Sequence, residues 1–477
     1  MLTSAEVGKL ALLYAGSSIF GTVTILSLNV ATAKFVAESD GDRKSMKIAT
    51  AMRSAVMLVG LSTVSGLIFI LALSPAISLW LFGSEFDASI ISAAIASAAI
   101  SNFAGIFASV LWGLSLFGEL FVLNVAGAVI GQLCAVFLAW FGFRLAGVVI
   151  GWNLGWLVAL VIAAVYCRPH LRQNVRDPLQ MKSMILYSYP ILLSSLIGIV
   201  QNWSDVTVLF AVTRNLVYTG VYYLSLTGAN MFSIFTAAMA SAIFPTLSNK
   251  HGRGQEDAFR HVLMFAGKFL NIFVLPLSIA VASLASNIVT LAYGDAYGVA
   301  ALPFAVLSSS VIFVGYLNIM GITLQSTGRT RPLIKIAAIS GLVEVVLTAT
   351  LAPTLKENGP AVARVCMSMV GVALSYVAVR GVWWPTFDRK SLANGFAISL
   401  LVAATVFGFD NLFARPWHMN GFTTILIEAC LFFFAYLIGL LILRPLAANE
   451  LELLMASSPK CLRSAFRVAR LFVTAQS

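Results

Sequence analysis

Four ionisable residues stand inside runs of sequence that are otherwise apolar: Asp205, Glu344, Arg364 and Glu428. A charge within a membrane-spanning run costs about 2.5–3.5 kcal/mol to insert, so such residues turn toward a cavity or a partner. A carboxylate such as Asp205 or Glu344 can hold a coupling cation or accept hydrogen bonds from hydroxyl groups. Gln201 and Asn202 extend the polar patch around Asp205. The fork of Arg364 donates two hydrogen bonds at once, which suits phosphate. The same residue types also suit a structural ion pair between helices, Asp205 or Glu344 with Arg364. Lys34, Arg53 and Lys268 lie at the ends of apolar runs, where they can meet an anionic headgroup or simply set topology. Asn29, Asn124, Asn153, Asn230 and Asn318 can bind hydroxyls or hold helices together.

Signals for catalysis are poor. His170, His251, His261 and His418 have no zinc-binding spacing, and no phosphate-binding loop is present. No nucleophile has a base beside it in sequence. The five cysteines, Cys134, Cys167, Cys366, Cys430 and Cys461, show no paired spacing and read as small packing residues. The expectation is a protein that is not an enzyme and needs no cofactor or metal.

What must position these residues is set by composition. Of the 477 residues, 60% are hydrophobic and 10% charged, against about 25% charged in soluble domains. Apolar runs long enough for a spanning helix, roughly 20 residues, recur along the whole chain. They are continuously apolar rather than alternating, which favours helices over a barrel. About thirteen spans are expected, near 10–33, 50–81, 88–115, 119–142, 145–167, 184–212, 217–247, 262–292, 300–326, 332–353, 359–380, 391–409 and 422–443. Most of the 30 lysines and arginines fall on alternate loops, the bias that orients a membrane protein with its positive loops inside. The net charge of +11 therefore reflects topology, not nucleic-acid binding. Beyond the last span, Lys460, Arg463, Arg467 and Arg470 interleave with Leu462, Phe466, Leu471 and Phe472. Residues 447–477 thus read as a basic amphipathic tail lying on the anionic inner leaflet.

The chain also repeats. Shifted by 212 positions, residues 7–37 align on 219–249, matching Gly8 with Gly220, Leu12 with Leu224, Gly16 with Gly228, Phe20 with Phe232 and Thr24 with Thr236. The loop Ser115–Gly118 answers Gln325–Gly328, and Gly147 answers Gly359. The expected organisation is a first lobe over 1–167 with five helices, a cytoplasmic linker over 168–183 and a second lobe over 184–380 with six. Two trailing helices over 391–443 and the tail follow. The span 184–212 has no counterpart in the first lobe, so either the true start lies upstream of Met1 or a helix has been lost.

Several short motifs in fixed order resemble the polysaccharide exporters and O-antigen flippases of the multidrug/oligosaccharidyl-lipid/polysaccharide superfamily. They are Leu2–Gly8, Asn202–Asp205, Thr219–Tyr223, Phe244–Ser248, Ala292–Tyr297, Leu324–Arg329 and Asn358–Ala363. The resemblance covers roughly 2–380. It implies an all-α polytopic membrane protein with two parallel-repeat lobes around a central cavity and two trailing helices, the family's first helix being absent here. It further implies a monomeric transporter of the cytoplasmic membrane, its C-terminus cytoplasmic, that flips a lipid-linked saccharide by alternating access. Asp205, Glu344, Asn202 and Gln201 would then serve a coupling cation or sugar hydroxyls, and Arg364 the substrate diphosphate. Lys34, Arg53 and Lys268 would meet the headgroup at the cytoplasmic mouth. The alternatives are a cation-coupled multidrug antiporter of the same superfamily, a membrane-embedded glycosyltransferase or polymerase, and an inactive truncated paralogue.

Overall fold

A computed structural model describes residues 2–41, 45–84, 87–171, 178–380, 389–410 and 421–443, and these form helices and turns with no strand among them. Lipid offers no partner for a backbone N–H or C=O, so long apolar runs satisfy those groups within a helix. The expected tail over 447–477 lies outside the described residues.

The first compact unit, Met1–Gly220, holds α1 (Ser4–Ile25), α2 (Leu28–Gly41), α3 (Ser45–Phe82), α4 (Ala88–Gly113), α5 (Phe117–Leu138), α6 (Arg144–Leu171), α7 (Pro178–Thr213) and the first turn of α8 (Leu216–Gly252). The second, Val221–Ser477, holds the rest of α8, then α9 (Glu256–Phe269), α10 (Leu275–Ser283), α11 (Ala285–Tyr293), α12 (Ala301–Ser309) and α13 (Val311–Ser326). It continues with α14 (Arg331–Leu355), α15 (Asn358–Val379), α16 (Arg389–Phe409) and α17 (Gly421–Leu443). The first unit runs to Gly220, and α7 packs on α1, α2 and α3 within it.

Among the described residues twelve stretches are long and apolar enough to cross a membrane, and one of them, Phe117–Pro169, has 53 residues. That stretch is a hairpin. Gly142 takes φ +96° and Arg144 φ +45°, which turns the chain back on itself. Gly131 of α5 then lies against the backbone of Gly155 in α6, and Gly151 of α6 against Ala135 of α5. Glycines and alanines at four-residue spacing leave no side chain between the helices, so their backbones meet. Counting α5 and α6 separately gives the expected thirteen.

The expected first span, 10–33, is broken. Leu26 and Ser27 both adopt left-handed geometry, φ +54° and +53°, which ends α1 and starts α2. Neither glycine nor proline marks the break, so apolar patterning runs through it unseen. The expected span 262–292 is likewise divided among α9, α10 and α11, with a wide helical turn over Leu270–Val274.

The repeat is carried in backbone detail. Thr3 caps α1, its hydroxyl accepting from the Glu6 amide at 3.3 Å while the Glu6 carboxylate accepts from the Thr3 amide at 2.7 Å. This reciprocal cap closes two orphan donors, and it explains physically the motif at residues 2–8. Asn215, at the corresponding place, caps α8 by accepting from Val217 at 2.9 Å. Asn102 donates to Thr24 at 2.7 Å, and Asn318 donates to Thr236 at 3.1 Å. Arg144 and Lys356 share one unusual conformation, φ +45°, ψ −125° and φ +53°, ψ −128°. Gly147 and Gly359 each then pack on the end of the preceding helix. One pairing is corrected. Leu116 N–H bonds Leu111 at 2.9 Å around left-handed Ser115, and Arg329 N–H bonds Leu324 at 2.8 Å around left-handed Gly328. Ser115 therefore answers Gly328, not Gln325, because a single helix-end motif fixes the alignment.

Within the second unit the trailing helices are tied to α10 and α11. Asn271 donates to Ser391 of α16 at 3.0 Å and accepts from the Tyr316 hydroxyl at 2.6 Å.

Candidate functional site

In the first unit α1, α4, α5 and α6 enclose a cavity of about 790 Å³. From α1 come Tyr14, Ser17, Ser18 and Thr22; from α4, Ser97, Ser101 and Asn102. Asn124 and Gln132 come from α5, and Trp152 and Trp156 from α6. Gly127, Gly131 and Gly155 also line it, so part of the wall is bare backbone where α5 and α6 press together. Among the described residues no acidic or basic side chain lines the cavity.

Its groups differ in how far they are engaged. Asn102 is buried and spends its amide on Thr24 and Thr63, 2.7 and 3.3 Å away. Ser17 donates to the Ala94 carbonyl at 3.0 Å. The Asn124 amide bonds its own helix at Leu120, 2.9 Å away, which leaves its carbonyl oxygen facing outward from that bond. Gln132 is exposed and makes no hydrogen bond among the described residues. Tyr14 stands edge-on to Trp152, ring centroids 5.2 Å apart, and lies 5.3 Å from Trp203 of α7.

The positions that answer Gln132 and Trp152 in the second repeat are Glu344 and Arg364. Glu344 on α14 is fully buried and pairs with Arg364 on α15 at 3.4 Å. The structure thus brings together two of the residues singled out from sequence. Asp205 is fully buried in α7 of the first unit, where one carboxylate oxygen accepts from the Val206 amide at 2.8 Å. Gln201 is half-buried and Asn202 exposed. Lys34 on α2 pairs with Glu38 at 3.6 Å and lies over the Tyr187 ring at 4.1 Å. Arg53 on α3 and Lys268 on α9 are half-buried.

Glu428 on α17 is fully buried, and both its oxygens accept from the Asn287 amide of α11, at 2.9 and 3.0 Å. This bond joins a trailing helix to α11. Glu428→Ala leaves the half-buried Asn287 donor without this acceptor, so a loss of about 1–3 kcal/mol is expected. Glu428→Gln keeps an acceptor and should retain most of the stability; thermal denaturation in detergent reads both.

Of the asparagines noted from sequence, Asn153 donates to the Ala93 carbonyl of α4 at 3.0 Å and Asn318 to Thr236, so these two hold helices together. Sequence reasoning met Gln132 only as the position opposite Glu344 in the repeat, and passed over Tyr14, Trp152 and Trp156. The available signal was the pair Trp152 and Trp156, one turn apart on a helix that also carries Gly147, Gly151 and Gly155.

Residues 1–251 match the family model described as "Polysaccharide biosynthesis protein". No curated protein matches the sequence. Among solved structures, the chain is similar to the lipid II flippase MurJ in an inward closed conformation, with TM-score 0.69 and 15% identity over 92% of this chain and 96% of that one. It is also similar to an inward-facing multidrug resistance MATE family transporter of the MOP superfamily, with TM-score 0.67 and 14% identity over 80% and 94%. A MOP superfamily transporter from Pyrococcus furiosus, described as having a binding pocket of reversed polarity, gives TM-score 0.55 and 14% identity over 80% and 93%.

Proposed function

Because the chain belongs to the polysaccharide biosynthesis protein family, we propose that it flips a lipid-linked oligosaccharide or polysaccharide precursor across the cytoplasmic membrane by alternating access. The observation that carries this reading is a family match over more than half the chain on a frame built of spanning helices. The fold held in common with a lipid II flippase supports it. A cationic drug, by contrast, needs a carboxylate to replace its lost water, and the first unit's cavity offers none among the described residues.

Within this reading Asp205 holds the coupling cation, since a fully buried carboxylate in a spanning helix is a place where a cation can be bound away from water. Lys34, Arg53 and Lys268 serve the anionic headgroup.

The test is reconstitution of the full chain in liposomes holding a polyprenyl-diphosphate-linked oligosaccharide. Movement is read by a glycosidase that cannot cross the bilayer. Protein-dependent exposure of the inner-leaflet sugar is expected, and its absence under every imposed gradient would sink the reading. Asp205→Asn should leave flipping insensitive to an imposed cation gradient, whereas a wild-type response to the gradient in that variant would remove Asp205 from the coupling role.

A further inference from the structure

We infer that the uncharged cavity of the first unit binds the neutral saccharide portion of the cargo, and that it excludes the diphosphate and charged sugars. This rests on the flipping reading and adds to it a place and a substrate class.

Its volume of about 790 Å³ lies within the range of roughly 300–1,000 Å³ typical of small-molecule sites. The chemistry of its wall is selective. A pyranose ring presents hydroxyls around its rim and C–H groups on its faces. The rim needs uncharged donors and acceptors, which Gln132, Asn124, Ser18 and Thr22 supply. The faces pack on aromatic rings, and Trp152 and Trp156 stand one turn apart on α6. Gln132 is the most telling of these, because an amide inside a membrane-spanning helix is costly unless something hydrogen-bonds it. It has no protein partner among the described residues and opens on the cavity.

Exclusion follows from the same list. An anion taken from water into this site would meet no cation, and the desolvation penalty of a charge is far larger than that of a hydroxyl. A diphosphate, or a uronate sugar, is therefore rejected.

The second repeat marks the contrast in charge. There the two matching positions carry the ion pair of Glu344 and Arg364, 3.4 Å apart, where the first repeat has the neutral Gln132 and Trp152 lining its cavity.

The experiment uses the full chain in lipid nanodiscs with three probes: bare polyprenyl diphosphate, the same lipid carrying a neutral trisaccharide, and the same with one sugar replaced by a uronate. The neutral head should raise affinity about tenfold over the bare lipid, and the uronate should forfeit that gain. The double variant Gln132→Leu, Asn124→Leu should lose the tenfold gain while binding the bare lipid as before. Both side chains are exposed to the cavity, so its thermal stability should be unchanged. A second variant, Gln132→Glu with Trp152→Arg, should carry the ion pair of the other repeat into the cavity wall in place of an amide and a ring, losing head selectivity without losing the fold. Equal affinity for neutral and bare lipid in the wild type overturns the assignment, as does full selectivity in both variants. If the wild type binds heads selectively yet moves none across the bilayer, the flipping reading fails and the site stands.

Discussion

Arg364→Ala is expected to destabilise the second unit by about 3–5 kcal/mol, the usual consequence of removing one partner from a buried ion pair. Glu344 is fully buried and Arg364 lies 3.4 Å away with a side chain only 17% exposed. Without the guanidinium, the carboxylate keeps its desolvation penalty and loses the countercharge that offsets it. The measurement is the denaturation midpoint of detergent-solubilised protein, where a drop of many degrees is expected. Replacing both members with apolar residues of similar size, Glu344→Met with Arg364→Met, should recover most of the loss, because the double change removes the charge and its countercharge together. The same double variant separates structure from transport. If the pair only joins α14 to α15, flipping returns with stability. If Arg364 also receives the substrate diphosphate, the stable double variant remains inactive.

The second large effect is expected at Gly8 and Gly220. A Cβ built on Gly8 runs into the carbonyl of Leu216, and one built on Gly220 runs into the carbonyl of Ser4. Each glycine thus lies on the first helical residue of the opposite helix, and the obstacle is backbone, which cannot rotate away. Gly8→Ala or Gly220→Ala should force the first turns of α1 and α8 apart at about 1–3 kcal/mol or more, read as a lowered denaturation midpoint. Gly16→Ala is the matched control. It sits in the same helix with no atom within 4 Å of the added carbon, and removing a helical glycine stabilises by about 0.5–1 kcal/mol. Equal effects at positions 8 and 16 would show that helix propensity, not the backbone contact, governs the site.

These cases mark what the sequence made legible. Hydropathy and charge placement give the helical class and the number of spans, because spanning length is imposed by the bilayer and not by distant contacts. Glycine at 8 and 220, and threonine at 24 and 236, disclose the repeat because a tight helix crossing and a buried hydrogen bond each demand one residue type. The pair Glu344 and Arg364 is visible as one of several pairings, since two opposite charges in adjacent spans have little else to do. The break at Leu26 and Ser27 is invisible, for neither residue is one that ordinarily ends a helix. The cavity is invisible for another reason. Tyr14, Gln132 and Trp156 come from three helices and are neutral, so each alone resembles a packing residue. Only the geometry that presses α5 onto α6 makes them neighbours.

The two hairpins also bear on how such a chain can change over generations. In α14 and α15 a substitution at Glu344 or Arg364 alone leaves a stranded charge, so the two positions must drift as a pair. In α5 and α6 the residues at 132 and 152 carry no such obligation, while the glycine stripe behind them stays fixed. Relatives with different cargo should therefore vary one residue at a time around the first hairpin's cavity, and in concert, or not at all, across the second.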